Sequence, residues 1–69
     1  MSKYNTLWIY IRNSNKNTLI MSFTDIEQVA GIPIDHSFLT YKKELAEYGY
    51  RVMKISMKNQ TVSFEKIEQ

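Results

Sequence analysis

The sequence predicts a small α+β domain, and three observations predict it. Apolar residues recur at helical spacing in two separate stretches, around Tyr4 and around Phe38. A short capped segment between them ends on a glycine and a proline. Two alternating apolar runs then close the chain as a hairpin.

Tyr4, Leu7, Trp8 and Ile11 fall at i, i+3, i+4 and i+7, one face of a first helix over roughly residues 4–13. The polar cluster Asn13-Ser14-Asn15-Lys16-Asn17 ends it. Thr18 to Phe23 alternates, with Leu19, Met21 and Phe23 on one face, and reads as a strand. Thr24-Asp25-Ile26-Glu27 has the capping-box pattern, in which the Thr hydroxyl accepts from the Glu27 amide and the carboxylate returns to the cap. The second helix should bury Ile26, Val29 and Ala30. Gly31 suits the left-handed residue that ends a helix, and Pro33 prevents continuation.

Asp35 is a good cap for a third helix, with Ile34 and Leu39 placed as a hydrophobic staple. Phe38, Tyr41, Leu45 and Tyr48 should face inward along it, and Gly49 should close it. In the final hairpin, pairing Met57 with Val62 and Ile55 with Phe64 puts four apolar side chains on one face. That register leaves Asn59-Gln60 as a two-residue turn, with Asn59 the residue tolerant of positive φ. The resulting order is helix, strand, helix, helix, strand, strand: three helices with a small antiparallel sheet in winged-helix-like sequence.

Composition limits what such a domain can do. The 69 residues are expected to form one domain, 1–69, with a marginal core. Cysteine is absent, so neither disulfides nor thiolate metal sites can support it, and one histidine, His36, cannot build a zinc site. Neither metal nor cofactor is expected. A hydrophobic content of 43% and nine aromatic residues suffice for a folded core. The net charge of +2 does not by itself imply a polyanionic partner. Its distribution is uneven: residues 1–23 carry bases and no acid, and residues 24–41 carry acids and no Lys or Arg. No stretch has the apolar length of a membrane span, and the N-terminus lacks a secretion pattern, so the expected location is the cytoplasm.

The motifs Phe23-Thr24-Asp25-Ile26-Glu27, Gly31-Ile32-Pro33-Ile34, Gly49-Tyr50-Arg51-Val52 and Thr61-Val62-Ser63-Phe64, with Tyr4 and Leu7-Trp8, resemble a family of small uncharacterised bacterial domains. The resemblance spans nearly the whole chain and implies the same architecture. Members carry a tryptophan pair after the proline turn and another tryptophan before the glycine. Tyr41-Lys42 and Glu47-Tyr48 stand in those regions here, so no role of those tryptophans transfers. The family has no established activity to carry over.

Two function classes follow. As a DNA-binding module, the third helix would offer Thr40 and Lys43 to base edges. Ser37, Lys42 and the helix N-terminus would hold phosphates, and the hairpin would add Lys54, Lys58 and Asn59. Binding would be electrostatic and of low specificity, since the helix has no arginine for guanine and carries Glu44 and Glu47. The plainer reading of that stripe is a solvated face, and of the hairpin lysines a guard against edge pairing. As a protein-interaction or self-association module, the same fold would use a patch of Ile9 and Tyr10 beside Arg12. Trp8 lies on the apolar stripe and belongs to the core. His36 between Asp35 and Ser37 does not make a catalytic triad, because neighbours on one helical turn lack the geometry of nucleophile, base and orienter. An enzyme is not expected.

Overall fold

The structure, a computed structural model, describes residues 3–67. Helix α1 spans Asn5–Ser14 and buries Leu7, Trp8 and Ile11, with Tyr4 buried at its cap position. This is the expected four-residue stripe. Asn15 closes the helix in the left-handed conformation (φ 53°), its N–H returning to the Arg12 carbonyl.

Strand β1, Thr18–Ser22, turns Met21 into the core and leaves Ile20 outside. Helix α2 follows without a loop over Phe23–Ala30. Its start corrects the expected capping box. Ser22, extended at φ −72° and ψ 161°, is the cap, and its side chain accepts from the Asp25 N–H at 3.0 Å. Because the helix begins before Thr24, that residue is already inside it. Glu27 is then free to accept the Ile34 N–H at 3.2 Å, which ties α2 to the approach of the next helix. Gly31 ends α2 at φ 76°, as its position implies.

Helix α3, His36–Tyr41, is capped by Asp35, whose carboxylate accepts from the Ser37 N–H. The expected single helix does not continue to Tyr48. Residues Lys42–Tyr48 wind as a 3-10 helix instead, closed by Gly49 at φ 85°. Three residues per turn bring Lys42, Leu45 and Tyr48 into line. Leu45 is therefore fully buried, while Lys42 and Tyr48 are half-covered. Two bonds hold this segment against α1: Trp8 Nε1 donates to Glu44 Oε1 at 3.2 Å, and the Tyr48 hydroxyl donates to Asn5 Oδ1.

Strands β2, Tyr50–Ser56, and β3, Thr61–Lys66, complete an antiparallel sheet ordered β1-β3-β2. The element order is thus the expected one. The hairpin register is not. Ile55 faces Val62, Val52 faces Phe64, and Ser56 faces Thr61, leaving Met57–Gln60 as a four-residue tip. A shift of two residues keeps every side chain on its face, so alternation alone cannot distinguish the two registers. A bulge at Met53 brings Val52 opposite Phe64, the place expected for Ile55, while Ile55 takes the place opposite Val62 expected for Met57. Gln60, not Asn59, takes the positive φ of 54°.

The inner sheet face meets α1, α2 and the 3-10 helix in one core of Tyr4, Leu7, Trp8, Ile11, Met21, Ile26, Phe38, Leu45, Tyr50, Val62 and Phe64. Tyr4 lies edge-on to Phe38 with ring centres 5.5 Å apart, and Trp8 tilts against both. No described buried side-chain polar atom lacks a partner. No described helix is long and apolar enough to cross a membrane.

Candidate interaction surface

The exposed stripe of the third-helix region is the one its spacing implies: His36, Thr40, Lys43 and Glu47 all face solvent. Ser37 is committed elsewhere. Its N–H donates to the Asp35 carboxylate at 2.9 Å, and its hydroxyl bonds the same oxygen. These bonds hold the Asp35 carboxyl below the ordinary aspartate value: the Ser37 hydroxyl first, then the Ser37 N–H, with Lys3 and the Tyr4 hydroxyl adding to them. The ionised carboxylate therefore occupies the start of α3, where a phosphate would have to sit.

The lysines do not converge. Lys43 is exposed on the 3-10 segment, and Lys42 is half-buried beside it. Lys54 pairs with Ser63, out of phase with the inward Ile55–Val62 pair, so it points to the sheet face away from the helices. Lys58 and Asn59 are exposed at the hairpin tip, where the Asn59 N–H donates to Ser56 Oγ at 3.2 Å. Glu44, by contrast, is turned inward to Trp8, leaving Glu47 as the exposed acid next to Lys43.

On α1, Tyr10 is 49% exposed and Ile9 is half-buried. The Arg12 guanidinium lies 5.5 Å above the Tyr48 ring. Arg12 thus packs across the helix surface toward the 3-10 segment, and Tyr10 is the main apolar feature of that patch.

A feature outside the sequence reading lies between α3 and the hairpin. Phe23, Ile34, Phe38, Leu39, Ile55 and Met57 line an open groove of about 520 Å³, with Asp35 and His36 at its rim. Leu39 is 49% and Met57 74% exposed. Ile34 and Leu39, the residues expected to form a staple, both line the groove. Met57 escapes notice in the sequence because the two-residue turn would have placed it in the ladder. A second depression, lined by Asn17, Thr18, Arg51, Glu65, Lys66 and Ile67, is polar. Its charges are already engaged: Arg51 with Glu65 at 3.2 Å, and Lys66 Nζ with Asn15 Oδ1. Among the described residues, no three His, Cys, Asp or Glu side chains gather as metal ligands.

Compared with known proteins, the chain matches no family model, no curated protein and no solved structure.

Proposed function

We propose that the chain is a non-catalytic binding module whose groove between α3 and the β2–β3 hairpin takes an apolar segment of a protein partner. The observation that carries this reading is the exposure of Leu39 and Met57 on the groove formed with Phe23, Ile34 and Ile55. In a winged-helix-like module these two elements flank the nucleic acid. Here the ground between them is apolar, which favours side chains that lose water on contact over phosphates that keep theirs. The Asp35 carboxylate at the start of α3 adds an anion where a phosphate contact is wanted. Catalysis has no support at His36, since Ser37 bonds Asp35 directly.

Low-specificity DNA binding is the second reading, favoured by the exposure of Thr40, Lys43, Lys58 and Asn59. With Lys54 on the other side of the sheet, Lys42, Lys43 and Lys58 remain. Counterion release then allows a logarithmic salt slope of at most roughly −3.

Selection from a displayed random peptide library tests the first reading. Enriched peptides should carry apolar anchors and lose at least tenfold in affinity to Leu39→Lys, a half-exposed position whose change leaves the core intact. Failure to enrich, or peptides indifferent to Leu39→Lys and Met57→Lys, would overturn it. Duplex DNA binding at low salt that Lys43→Glu with Lys58→Glu abolishes and Leu39→Lys leaves alone would establish the second reading instead.

A further inference from the structure

From the open edge of β1 we infer a self-association site: β1 pairs antiparallel with β1 of a second copy about a two-fold axis through Ile20, making one continuous six-stranded sheet. The site differs from the groove, whose exposed walls Leu39 and Met57 lie on α3 and the hairpin tip.

The two edges of the sheet differ. In the order β1-β3-β2, both β1 and β2 have one side unpaired among the described residues. The β2 edge carries the devices that discourage pairing: a bulge at Met53 and the charges of Arg51 and Lys54. Strand β1, Thr18-Leu19-Ile20-Met21-Ser22, has no charge, proline or bulge. Its ladder also shows which backbone groups are free. Lys66 N–H donates to the Asn17 carbonyl at 2.9 Å and Phe23 N–H to the Gln60 carbonyl at 2.8 Å. Odd-numbered residues thus face β3, and by alternation the N–H and C=O groups of Thr18 and Ile20, with the N–H of Ser22, face the open edge.

The strand is chemically symmetric about its centre. With Ile20 opposite its own copy, Leu19 meets Met21 and Thr18 meets Ser22, apolar against apolar and hydroxyl against hydroxyl. Ile20 is 64% exposed. In this register the two Ile20 side chains lie together on the outer sheet face, while Leu19 and Met21 extend the inner one. Two reciprocal bonds join the Ile20 backbones, and each Ser22 N–H reaches a Thr18 carbonyl.

Charge supports the same register. The residues that follow Ser22, where α2 begins at once, come near those that precede Thr18 of the second copy, which brings Asp25 toward Lys16, and symmetry repeats the contact. Both side chains are exposed. The base-only first third of the chain is thus laid against the acid-only α2. Two five-residue strands make a contact below the roughly 1,200 Å² typical of stable complexes, so the dimer forms in a concentration-dependent way.

The chain's lack of cysteine permits a direct test. Across a hydrogen-bonded antiparallel pair, Cα atoms sit about 5.5 Å apart, within disulfide reach. Ile20→Cys should therefore give a disulfide-linked dimer under mild oxidation. Thr18→Cys should not, because its copy lies roughly 13 Å away along the strand. Sedimentation of the unmodified chain should show a mass rising with concentration. Ile20→Lys, which sets like charges together, should raise the dissociation constant at least tenfold while circular dichroism remains that of a folded domain. Lys16→Glu should weaken the dimer and Lys16→Glu with Asp25→Lys restore it. A monomer at millimolar concentration, equal cross-linking of the two cysteine variants, or a dimer that responds to Tyr10→Glu and not to Ile20→Lys would overturn the proposal. Leu39→Lys should leave the mass unchanged, which separates failure here from failure of the groove.

Discussion

Leu45→Ala should be among the most damaging single changes in this domain. Leu45 is fully buried, and it is the one residue of Lys42–Tyr48 that reaches the core completely. In a 3-10 helix, where hydrogen-bond geometry is poorer than in an α-helix, that side chain supplies much of what holds the segment. Buried Leu→Ala changes cost about 3–5 kcal/mol, depending on how far the site collapses. For 69 residues the total stability is about 3.5–10 kcal/mol, so the loss is a large fraction of it. Trp8 is the single tryptophan and bonds Glu44, next to the altered residue, so its fluorescence reports directly on this region. With a urea slope of about 1 kcal/mol/M, the midpoint should fall by about 3–5 M. A loss below about 1 kcal/mol would refute the reasoning, since it would mean that a large apolar deletion left no cavity. Lys42 and Lys43 would then be carried by a segment the core does not fix.

Two further outcomes follow from the turns and caps. Gln60 holds a left-handed conformation at φ 54°, so Gln60→Gly relieves strain and, after the added freedom of the unfolded chain, should stabilise by about 0.5 kcal/mol, read as a rise of about 2–4 °C in melting temperature. Asn59→Gly should give no such rise, and the opposite ranking would restore the two-residue turn. The carboxyl of Asp35 should titrate below the ordinary aspartate value in an NMR pH series, and Ser37→Ala should return it toward that value, because the Ser37 hydroxyl is the largest cause of the depression. A lowered folded-state value means that this contribution is present above the unfolded pKa and lost as pH falls through the folded one. The variant should therefore show a shallower acid dependence of stability, and an unchanged Asp35 titration would count against the cap.

Helical spacing and local stop signals carried most of the fold. The stripe Tyr4, Leu7, Trp8 and Ile11, the left-handed Gly31 and Gly49, and the Asp35 cap are each fixed by neighbours within a few residues. What failed depended on competition between good local choices. Ser22 and Thr24 can both cap α2, and the end of β1 at Ser22 decides between them. Two registers of the hairpin bury the same face near its tip, and the observed one carries a bulge at Met53 that sets Val52 opposite Phe64. The 3-10 winding of Lys42–Tyr48 has no strong composition signal, since each residue there tolerates an α-helix. At the candidate surface, the exposed Thr40 and Lys43 were legible from periodicity, whereas the inward turn of Glu44 required a partner on α1.

The hairpin register also explains why the groove exists. A two-residue turn would put Met57 in the ladder opposite Val62, with its side chain spent on the inner sheet face. The observed tip starts at Met57, which frees that side chain from the sheet and sets it on the groove with Leu39. Val52, admitted by the bulge, takes over the packing against Phe64. The sheet thus remains satisfied while a flexible methionine is released to solvent. Methionine is unbranched and polarizable, suited to surfaces that adapt to different apolar ligands. Ile55, paired with Val62, forms the floor from the neighbouring ladder position. A change at Met57 should therefore alter binding at the groove without altering the ladder, whereas a change at Val52 should do the reverse.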